Sequence, residues 1–229
     1  MNKYRHEYKY MIDDVQRKIL LIKAAGLLKK DPNVGEGDSY WIRSLYFDDL
    51  NNTCYFENEN GTDPRAKYRI RYYNEDTSHI KLEKKIKEHG MTLKYTCSIS
   101  KKQCEKFLEG KIPECENRTQ AVFFEEIKKK ALLPKVIVTY ERIPYIYSVG
   151  NVRITFDMNI TSSNEISKFL ENSYMKRPIL PLGKSVLEVK WDEIFPIHIK
   201  ECMALDSLQW NTFSKYYLCR QYNINGGLK

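Results

Sequence analysis

The sequence has 229 residues, a length that predicts a single domain over residues 1–229. A hydrophobic content of 42% allows a real core, and a formal net charge of +8 predicts an acidic partner, namely a nucleic acid, a nucleotide, polyphosphate or an anionic membrane surface. The six cysteines form no CxxC motif and no Cys/His cluster, which argues against a zinc site or a disulfide framework and favours free thiols.

The N-terminus is charged where a signal peptide would need an apolar stretch. The longest apolar run, residues 19–28, is interrupted by Lys23 and is far shorter than the roughly 20 residues that span a bilayer. We therefore expect no membrane segment and a cytoplasmic location.

Strand and helix signals alternate along the chain. Alternation of polar and apolar residues predicts strands at residues 4–11, 40–48, 66–74, 80–87, 93–97, 136–148, 152–160 and 187–191. Helical spacing and capping residues predict helices at residues 13–28, 49–58, 100–109, 119–132, 161–184 (a helix followed by a loop), 196–208 and 213–222. The Val149-Gly150-Asn151 turn predicts a hairpin between two of the strands. The expected packing face of the first helix is Val15, Ile19, Leu20, Ile22 and Leu27.

The strands repeatedly place lysine or arginine at every second position. In residues 66–74, for example, Lys67, Arg69 and Arg71 share one face, because successive side chains of a strand point to opposite sides. Over seven strands this face carries Arg5, Lys9, Lys67, Arg69, Arg71, Lys81, Lys85, Lys87, Lys94, Arg142, Arg153 and Lys190, against Glu7, Glu83, Asp157 and Glu188. Ordinary surfaces mix the two signs, so this face is predicted to bind an anion.

Crowded cations are favourable only with a ligand that offers many anionic oxygens, such as a triphosphate or a longer phosphate chain. Carboxylates on the same face would suit a hard divalent cation that bridges phosphate oxygens. Glu188 and Glu7 are the best placed for that role, although Glu7 could equally form a salt bridge with Lys9 or Arg71.

The last predicted helix adds a second hint of an anion. Lys215 falls in its first turn, where the helix dipole disfavours a cation, so an anion at that helix end would relieve the conflict. With Asn211 or Thr212 as the cap and Ser214 beside it, this end is a candidate phosphate site. An exposed surface lysine is the alternative. The motifs of the commonest nucleotide folds, GxxxxGK[ST] and GxGxxG, are absent.

Several short motifs occur together and in a fixed order. They are Arg5-His-Glu7-Tyr-Lys9-Tyr, Ser44-Leu-Tyr-Phe-Asp-Asp49, Lys67-Tyr-Arg69-Ile-Arg71-Tyr-Tyr73, Lys81-Leu-Glu83-Lys-Lys85, Tyr140-Glu-Arg142, Arg153-Ile-Thr155-Phe-Asp157, Leu187-Glu188-Val-Lys190 and Phe213-Ser214-Lys215-Tyr216. This combination resembles the VTC domain, the polyphosphate polymerase branch of the triphosphate tunnel metalloenzyme (CYTH-like) superfamily. The resemblance covers nearly the whole chain.

The resemblance implies an α+β fold, in which an antiparallel β-barrel of about eight strands forms a tunnel, with helices packed outside and a C-terminal helix at the tunnel mouth. It also implies transfer of the terminal phosphoryl group of ATP to a growing polyphosphate chain with Mn²⁺ or Mg²⁺. By that similarity the phosphates would be held by Lys9, Arg69, Arg71, Lys85, Lys94, Arg142 and Arg153, the metal by Glu188, and the mouth by Ser214 and Lys215. Our candidate set also includes Lys190, Lys67, Lys81, Tyr140 and, for the metal, Glu7.

The sequence also departs from related patterns. Hydrolytic relatives open with an ExExK strand, whereas the first acidic position here is Arg5, and Lys190 stands where hydrolases often have a second carboxylate. Fewer carboxylates favour transfer to phosphate over hydrolysis. Thr212 occupies a position where polymerases of the family can carry a lysine, which puts activity at the tunnel mouth in question.

We therefore expect an ATP-dependent polyphosphate polymerase, with nucleoside triphosphate and polyphosphate as its ligands. Two alternatives stay open: a triphosphatase of the same fold, and a non-catalytic module that binds polyphosphate or nucleic acid. Nucleic acid is not expected, because most tyrosines are predicted to lie on the face opposite the bases. The sequence leaves open an unidentified protein partner.

Overall fold

The chain is built around one long antiparallel sheet, seen in a computed structural model that describes residues 3–210 and 212–224. Within these residues the strands are β1 (His6–Asp13), β2 (Lys29–Lys30), β3 (Tyr40–Asp48), β4 (Arg65–Tyr73), β5 (Asp76–Glu88), β6 (Met91–Ile99), β7 (Leu133–Tyr147), β8 (Val152–Ser163), β9 (Arg177–Pro178) and β10 (Lys184–Trp191). The α-helices of the same residues are α1 (Asp14–Leu27), α2 (Thr53–Glu59), α3 (Lys101–Leu108), α4 (Arg118–Lys129), α5 (Ile197–Cys202) and α6 (Lys215–Ile224).

Eight strands follow one another around the sheet in the order β1-β10-β8-β7-β3-β4-β5-β6, and every pairing is antiparallel. The two ends of this path meet where Arg5 and Thr92 exchange two backbone hydrogen bonds of 2.9 Å. The short strands β2 and β9 pair with β7 and β8. The predicted antiparallel barrel of about eight strands, with helices outside it, is confirmed.

Two apolar clusters cover the outer face of the barrel. In one, Phe107 of α3 belongs to a core with Ile70 of β4. In the other, Leu20 of α1 and Ile199 of α5 join Phe156 of β8. Because side chains alternate along each strand, the residues between these apolar positions point into the barrel. The helices thus shield one face of the sheet and leave the cationic face to the interior.

Local capping determines where two of the helices begin. At the start of α1, Asp13 accepts a 2.9 Å hydrogen bond from the backbone of Gln16, whose side chain accepts one of 3.0 Å in return. Ser100 and Gln103 form the same reciprocal arrangement at the start of α3. Each such box satisfies two backbone N–H groups that the helix itself leaves without partners. These two helices begin within one residue of the starts predicted at residues 13 and 100.

The predicted helix within residues 161–184 is wrong. Strand β8 continues to Ser163, because Thr161 and Ser163 are paired with Thr139 and Ile137 of β7 and their backbone groups are used in the sheet. Only a short 3₁₀ helix, Ile166–Lys168, follows before β9. The helix predicted for residues 196–208 is also shorter and ends at Cys202.

The predicted packing face of α1 is only partly correct. Val15, Ile19 and Ile22 are 68%, 49% and 75% exposed, whereas Leu20 and Ala24 are buried. The helix carries apolar residues on both sides, and the side with Leu20 and Ala24 meets the core. In the described part of the chain, no helix combines the length and hydrophobicity needed to cross a membrane. All six cysteines are free thiols, as expected.

Candidate functional site

The barrel encloses a cavity of about 640 Å³. Among the described residues, fourteen lysine and arginine side chains line this cavity, and only four carboxylates do. Alternate strand positions supply most of these side chains, so the cationic face predicted from the sequence is the inner face of the barrel. This excess of positive charge suits an anionic ligand.

Fourteen of the fifteen predicted site residues line the cavity. They are Glu7, Lys9, Lys67, Arg69, Arg71, Lys85, Lys94, Tyr140, Arg142, Arg153, Glu188, Lys190, Ser214 and Lys215. The exception is Lys81, which is exposed and does not line the cavity. Lys81 lies on the predicted face of β5, but this face extends beyond the end of the cavity. Lys81 is therefore removed from the candidate site.

Glu7 and Glu188 form one charged cluster with lysines. The Nζ atom of Lys9 lies 2.8 Å from Glu7 and 3.8 Å from Glu188, and the Nζ atom of Lys190 lies 2.5 Å from Glu188 and 3.6 Å from Glu7. The strand register explains this arrangement, because Lys9 is opposite Glu188 and Glu7 is opposite Lys190. Lys85 reaches Glu7 from β5, at 2.6 Å. The salt bridge considered for Glu7 and Lys9 is present.

A third carboxylate, Asp157, is fully buried behind the cavity wall. It accepts hydrogen bonds of 2.6 and 2.7 Å from Nε and Nη2 of Arg142. The Nζ atom of Lys215 lies 2.5 Å from Oδ2 of Asp157, the oxygen that also accepts from Nη2 of Arg142. The sequence predicted a bound anion near Lys215, and the structure places a carboxylate of the chain itself there.

Six of the seventeen tyrosines line the cavity, and of these only Tyr140 was predicted to be a site residue. They are Tyr40, Tyr46, Tyr73, Tyr140, Tyr216 and Tyr217. Arg69 donates to the hydroxyl of Tyr46 at 2.9 Å, and Arg153 donates to that of Tyr40 at 3.0 Å. These hydroxyls are polar contacts that orient guanidinium groups within the wall.

The start of α6 forms part of the cavity wall, as predicted. The hydroxyl of Ser214 accepts a 3.2 Å hydrogen bond from the backbone of Tyr217 and therefore caps the helix. Lys67 also donates to this hydroxyl, at 2.7 Å. The prediction of Thr212 as the cap is therefore wrong, because Thr212 lies two residues before Ser214 and is exposed at the cavity, and the other predicted cap, Asn211, lies outside the described residues.

Four of the cations that line the cavity have no carboxylate within 4.0 Å in the described part of the chain: Lys3, Arg65, Lys67 and Lys87. Arg65 and Lys87 are opposite each other in the β4/β5 register, so like charges meet there. Burial lowers the pKa of Lys67 well below its ordinary value, and Lys9 and Lys85 lower it further. This sector has the least compensated positive charge in the wall.

Glu7 and Glu188, together with Lys9, Lys85 and Lys190, form what we call the Glu7 cluster. Its two carboxylates are held in the ionised form. Burial alone would raise the pKa values of Glu7 and Glu188, but the surrounding lysines outweigh it and hold both well below the usual range. Burial lowers the pKa of Lys85 to about 7, because Lys9 and Lys190 add to its effect and Glu7 does not offset it. Lys85 thus loses its proton near neutral pH.

The donor set limits what kind of metal could bind. No group of three or more His, Cys, Asp or Glu side chains in the described residues is placed to hold an ion. Mg²⁺ usually keeps several waters and takes only one or two carboxylates together with substrate phosphates. Glu7 and Glu188 therefore fit a cation that arrives with phosphates, and they do not fit a cage made of protein ligands alone.

The VTC domain profile matches residues 4–223. The chain belongs to the VTC domain family. No curated protein matches it.

Solved structures resemble this VTC domain at low sequence identity. A candidate adenylyl cyclase from Hippeastrum, described as having a dominant triphosphatase activity, is 13% identical, with a TM-score of 0.56 over 100% of this chain and 98% of that one. A candidate adenylate cyclase from Bacillus halodurans is 16% identical, with a TM-score of 0.52 over 90% and 88% of the two chains. At these identities the similarity is one of fold.

Sequence reasoning identified Tyr140 but missed the other five tyrosines of the VTC domain site. The signal was present in β3, where Tyr40, Ser44 and Tyr46 have the same parity. Ser44 accepts a hydrogen bond from Arg71, and the other two bind arginines as described above. The occurrence of polar residues at alternate positions of an otherwise apolar strand would have identified these side chains as part of the cavity wall.

The ionisation of Lys85 predicts a pH effect on anion binding by this VTC domain. Lys85 is protonated below pH 7 and loses its charge above it, so affinity for tripolyphosphate should weaken as pH rises from about 6 to about 8. Because the ligand itself ionises in this range, the measurement is a comparison by calorimetry with Lys85→Met. The wild type should lose about tenfold more affinity than the variant over this range. Parallel pH profiles would contradict a charge change at Lys85.

Proposed function

We propose that this VTC domain is an ATP-dependent polyphosphate polymerase, which transfers the terminal phosphoryl group of ATP to a phosphate chain inside the barrel. The family and the tunnel fold support a triphosphate as the substrate class. The cationic wall supports a polyanionic product, because a string of lysines and arginines can bind successive phosphates.

The observation that best supports this proposal is that two carboxylates in the cavity, Glu7 and Glu188, are ion-paired and ionised. Both carboxylates of the Glu7 cluster are ion-paired, and their pKa values lie well below the usual range because the nearby lysines outweigh burial. A carboxylate with so low a pKa is a weak base and removes a proton from water poorly. A phosphate acceptor is already ionised and needs no base. The site therefore favours transfer to phosphate over transfer to water.

In this mechanism the wall binds and aligns the phosphates. The proposed phosphate-binding residues are Lys9, Arg69, Arg71, Lys85, Lys94, Arg142, Arg153 and Lys190. Lys67 and Ser214 would bind the chain beside α6, and Tyr140 would orient Arg71, which donates to its hydroxyl at 3.0 Å. Lys215, bound to Asp157, would contribute positive charge to the wall.

Glu188 and Glu7 would hold the divalent cation, Mn²⁺ or Mg²⁺. When bound, that cation neutralises charge on the transferring phosphoryl group. The lysines and arginines keep the two phosphate chains in line and limit the access of water, so that the acceptor oxygen meets the γ-phosphate before water does.

The direct test is the product formed from ATP and Mn²⁺. We expect purified protein to make long-chain polyphosphate, detected by gel sizing and by its loss after treatment with an exopolyphosphatase. Orthophosphate alone would replace the polymerase assignment with a triphosphatase of the same fold, an activity described for the Hippeastrum protein. Binding of polyphosphate without turnover would indicate a non-catalytic module.

Reversing two positive charges tests why transfer to phosphate is favoured over transfer to water. Lys190→Glu would place a third carboxylate beside Glu7 and Glu188, and we combine it with Arg5→Glu to restore the acidic positions seen in hydrolytic relatives. The double variant should raise the ratio of free phosphate to polymer by about tenfold, because added carboxylates provide a base for water. An unchanged ratio would show that these positions do not control the acceptor.

A further inference from the structure

Two buried carboxylates stand behind the cavity wall and do not line it. The first, Glu83, is 1% exposed. It accepts hydrogen bonds from Nε of Arg69 at 2.7 Å and from Lys94 at 3.0 Å, and Nη2 of Arg69 is also 2.7 Å away. Glu83 therefore binds one edge of the Arg69 guanidinium.

The second carboxylate holds an arginine elsewhere in the barrel, with one oxygen for each nitrogen, whereas Glu83 meets Nε and Nη2 of Arg69 with a single oxygen. Asp157 binds the same Nε and Nη2 edge of Arg142, and it also contacts Lys215. Each centre thus contains a buried carboxylate, a doubly bound arginine and a lysine. They occupy different strand pairs, β4/β5 and β7/β8. In both centres the arginine lines the cavity and the carboxylate does not.

The contact with Glu83 determines which N–H groups of Arg69 remain available to a ligand. A guanidinium has five N–H groups. Glu83 accepts the N–H of Nε, the same carboxylate oxygen lies 2.7 Å from Nη2, and Tyr46 accepts one N–H of Nη1. At least one N–H therefore remains on each of the two Nη atoms. Nη1 and Nη2 form the outer edge of the guanidinium, the one that points away from Glu83, and their remaining N–H groups can bind phosphate oxygens.

We propose that Glu83 is a positioning residue that aims the outer edge of Arg69 at the phosphate chain, and that Asp157 is a positioning residue that fixes Arg142 in the wall, where Nη2 of Arg142 also donates to Glu188 at 3.4 Å. This deepens the proposed function and rests on it. Their burial supports the assignment, since neither carboxylate reaches the cavity where a metal or a phosphate would bind. Burial would raise the pKa of Glu83, but Arg69, Arg71 and Lys94 outweigh it and hold it well below the usual range.

Glu83→Gln separates positioning from simple charge. If the wall only supplied positive charge, removing a carboxylate would strengthen tripolyphosphate binding by about tenfold and leave turnover unchanged. If Glu83 aims Arg69, the affinity should not rise, and kcat should fall about 10–100-fold, as for other residues that orient a binding group from behind. Glu165→Gln, which removes an exposed carboxylate paired with Lys168, is the matched control.

A second variant tests the orientation of Arg69 independently, in case Glu83→Gln does not fold. Tyr46→Phe removes the other contact that orients Arg69 without changing any charge at neutral pH, and it should lower kcat about threefold or more with little change in KM. Unchanged kcat in this variant, or a tenfold gain in affinity with wild-type kcat in Glu83→Gln, would overturn the proposal. If the wild type makes no polymer, the proposed function fails, but the tripolyphosphate affinities, measured by calorimetry without metal, still test the positioning role.

Discussion

Glu188→Gln is expected to reduce metal-dependent turnover by at least about 10²-fold, the scale seen when one electrostatic contact to a transition state is removed. Glu188 lines the cavity, and we propose that it holds, with Glu7, the cation that accompanies the phosphates. Its amide analogue keeps the shape of the side chain but binds Mn²⁺ weakly. Without metal, tripolyphosphate binding should become tighter, because the lysines around position 188 lose an internal partner.

The measurement combines steady-state turnover at several Mn²⁺ concentrations with calorimetry of tripolyphosphate binding. Glu165→Gln again serves as the control and should behave as the wild type. Turnover within about threefold of wild type at all Mn²⁺ concentrations would show that Glu188 does not hold the metal. The contrast with Glu83→Gln, for which no gain in affinity is expected, distinguishes a carboxylate in the cavity from one behind it.

The second large effect concerns stability. Asp157→Asn should lower the free energy of unfolding by about 3–5 kcal/mol, the range for breaking a buried ion pair by removing one partner. Asp157 is fully buried between Arg142 and Lys215, and the variant leaves two buried cations facing a neutral amide.

Urea denaturation measures this loss directly. Lys168→Gln is a suitable control, because it breaks an exposed pair with Glu165 and should change stability by less than about 0.5 kcal/mol. A loss below about 1 kcal/mol for Asp157→Asn would mean that the two cations find other partners. In that case the centre would not be a rigid part of the wall.

Much of the site could be predicted because strand parity is a local property. The face shared by Lys67, Arg69 and Arg71 depends only on their spacing, and the structure confirms it. The partners of these residues depend on register, which the hairpins set. Arg69 meets Glu83 because those two residues are opposite each other in the β4/β5 pairing. A shift of one residue would have separated them, so the sequence alone could not identify the pair.

Other errors have equally physical causes. Lys81 has the correct parity but lies beyond the cavity, since alternation says nothing about where along a strand a cavity ends. Helix α1 has two apolar sides, and hydrophobic spacing cannot tell which side the sheet will cover. Only the packed structure shows that the core takes Leu20 and that Ile22 remains exposed.

The carboxylates inside the barrel act as fixed counterions. Glu83 and Asp157 are covalently part of the wall, so an entering polyanion cannot release them into solution as it would release bound chloride. The ligand therefore displaces fewer mobile ions than a count of fourteen lysines and arginines suggests. Ionic strength should affect its binding chiefly through the sector of Lys3, Arg65, Lys67 and Lys87, where the chain provides no such counterion among its described residues.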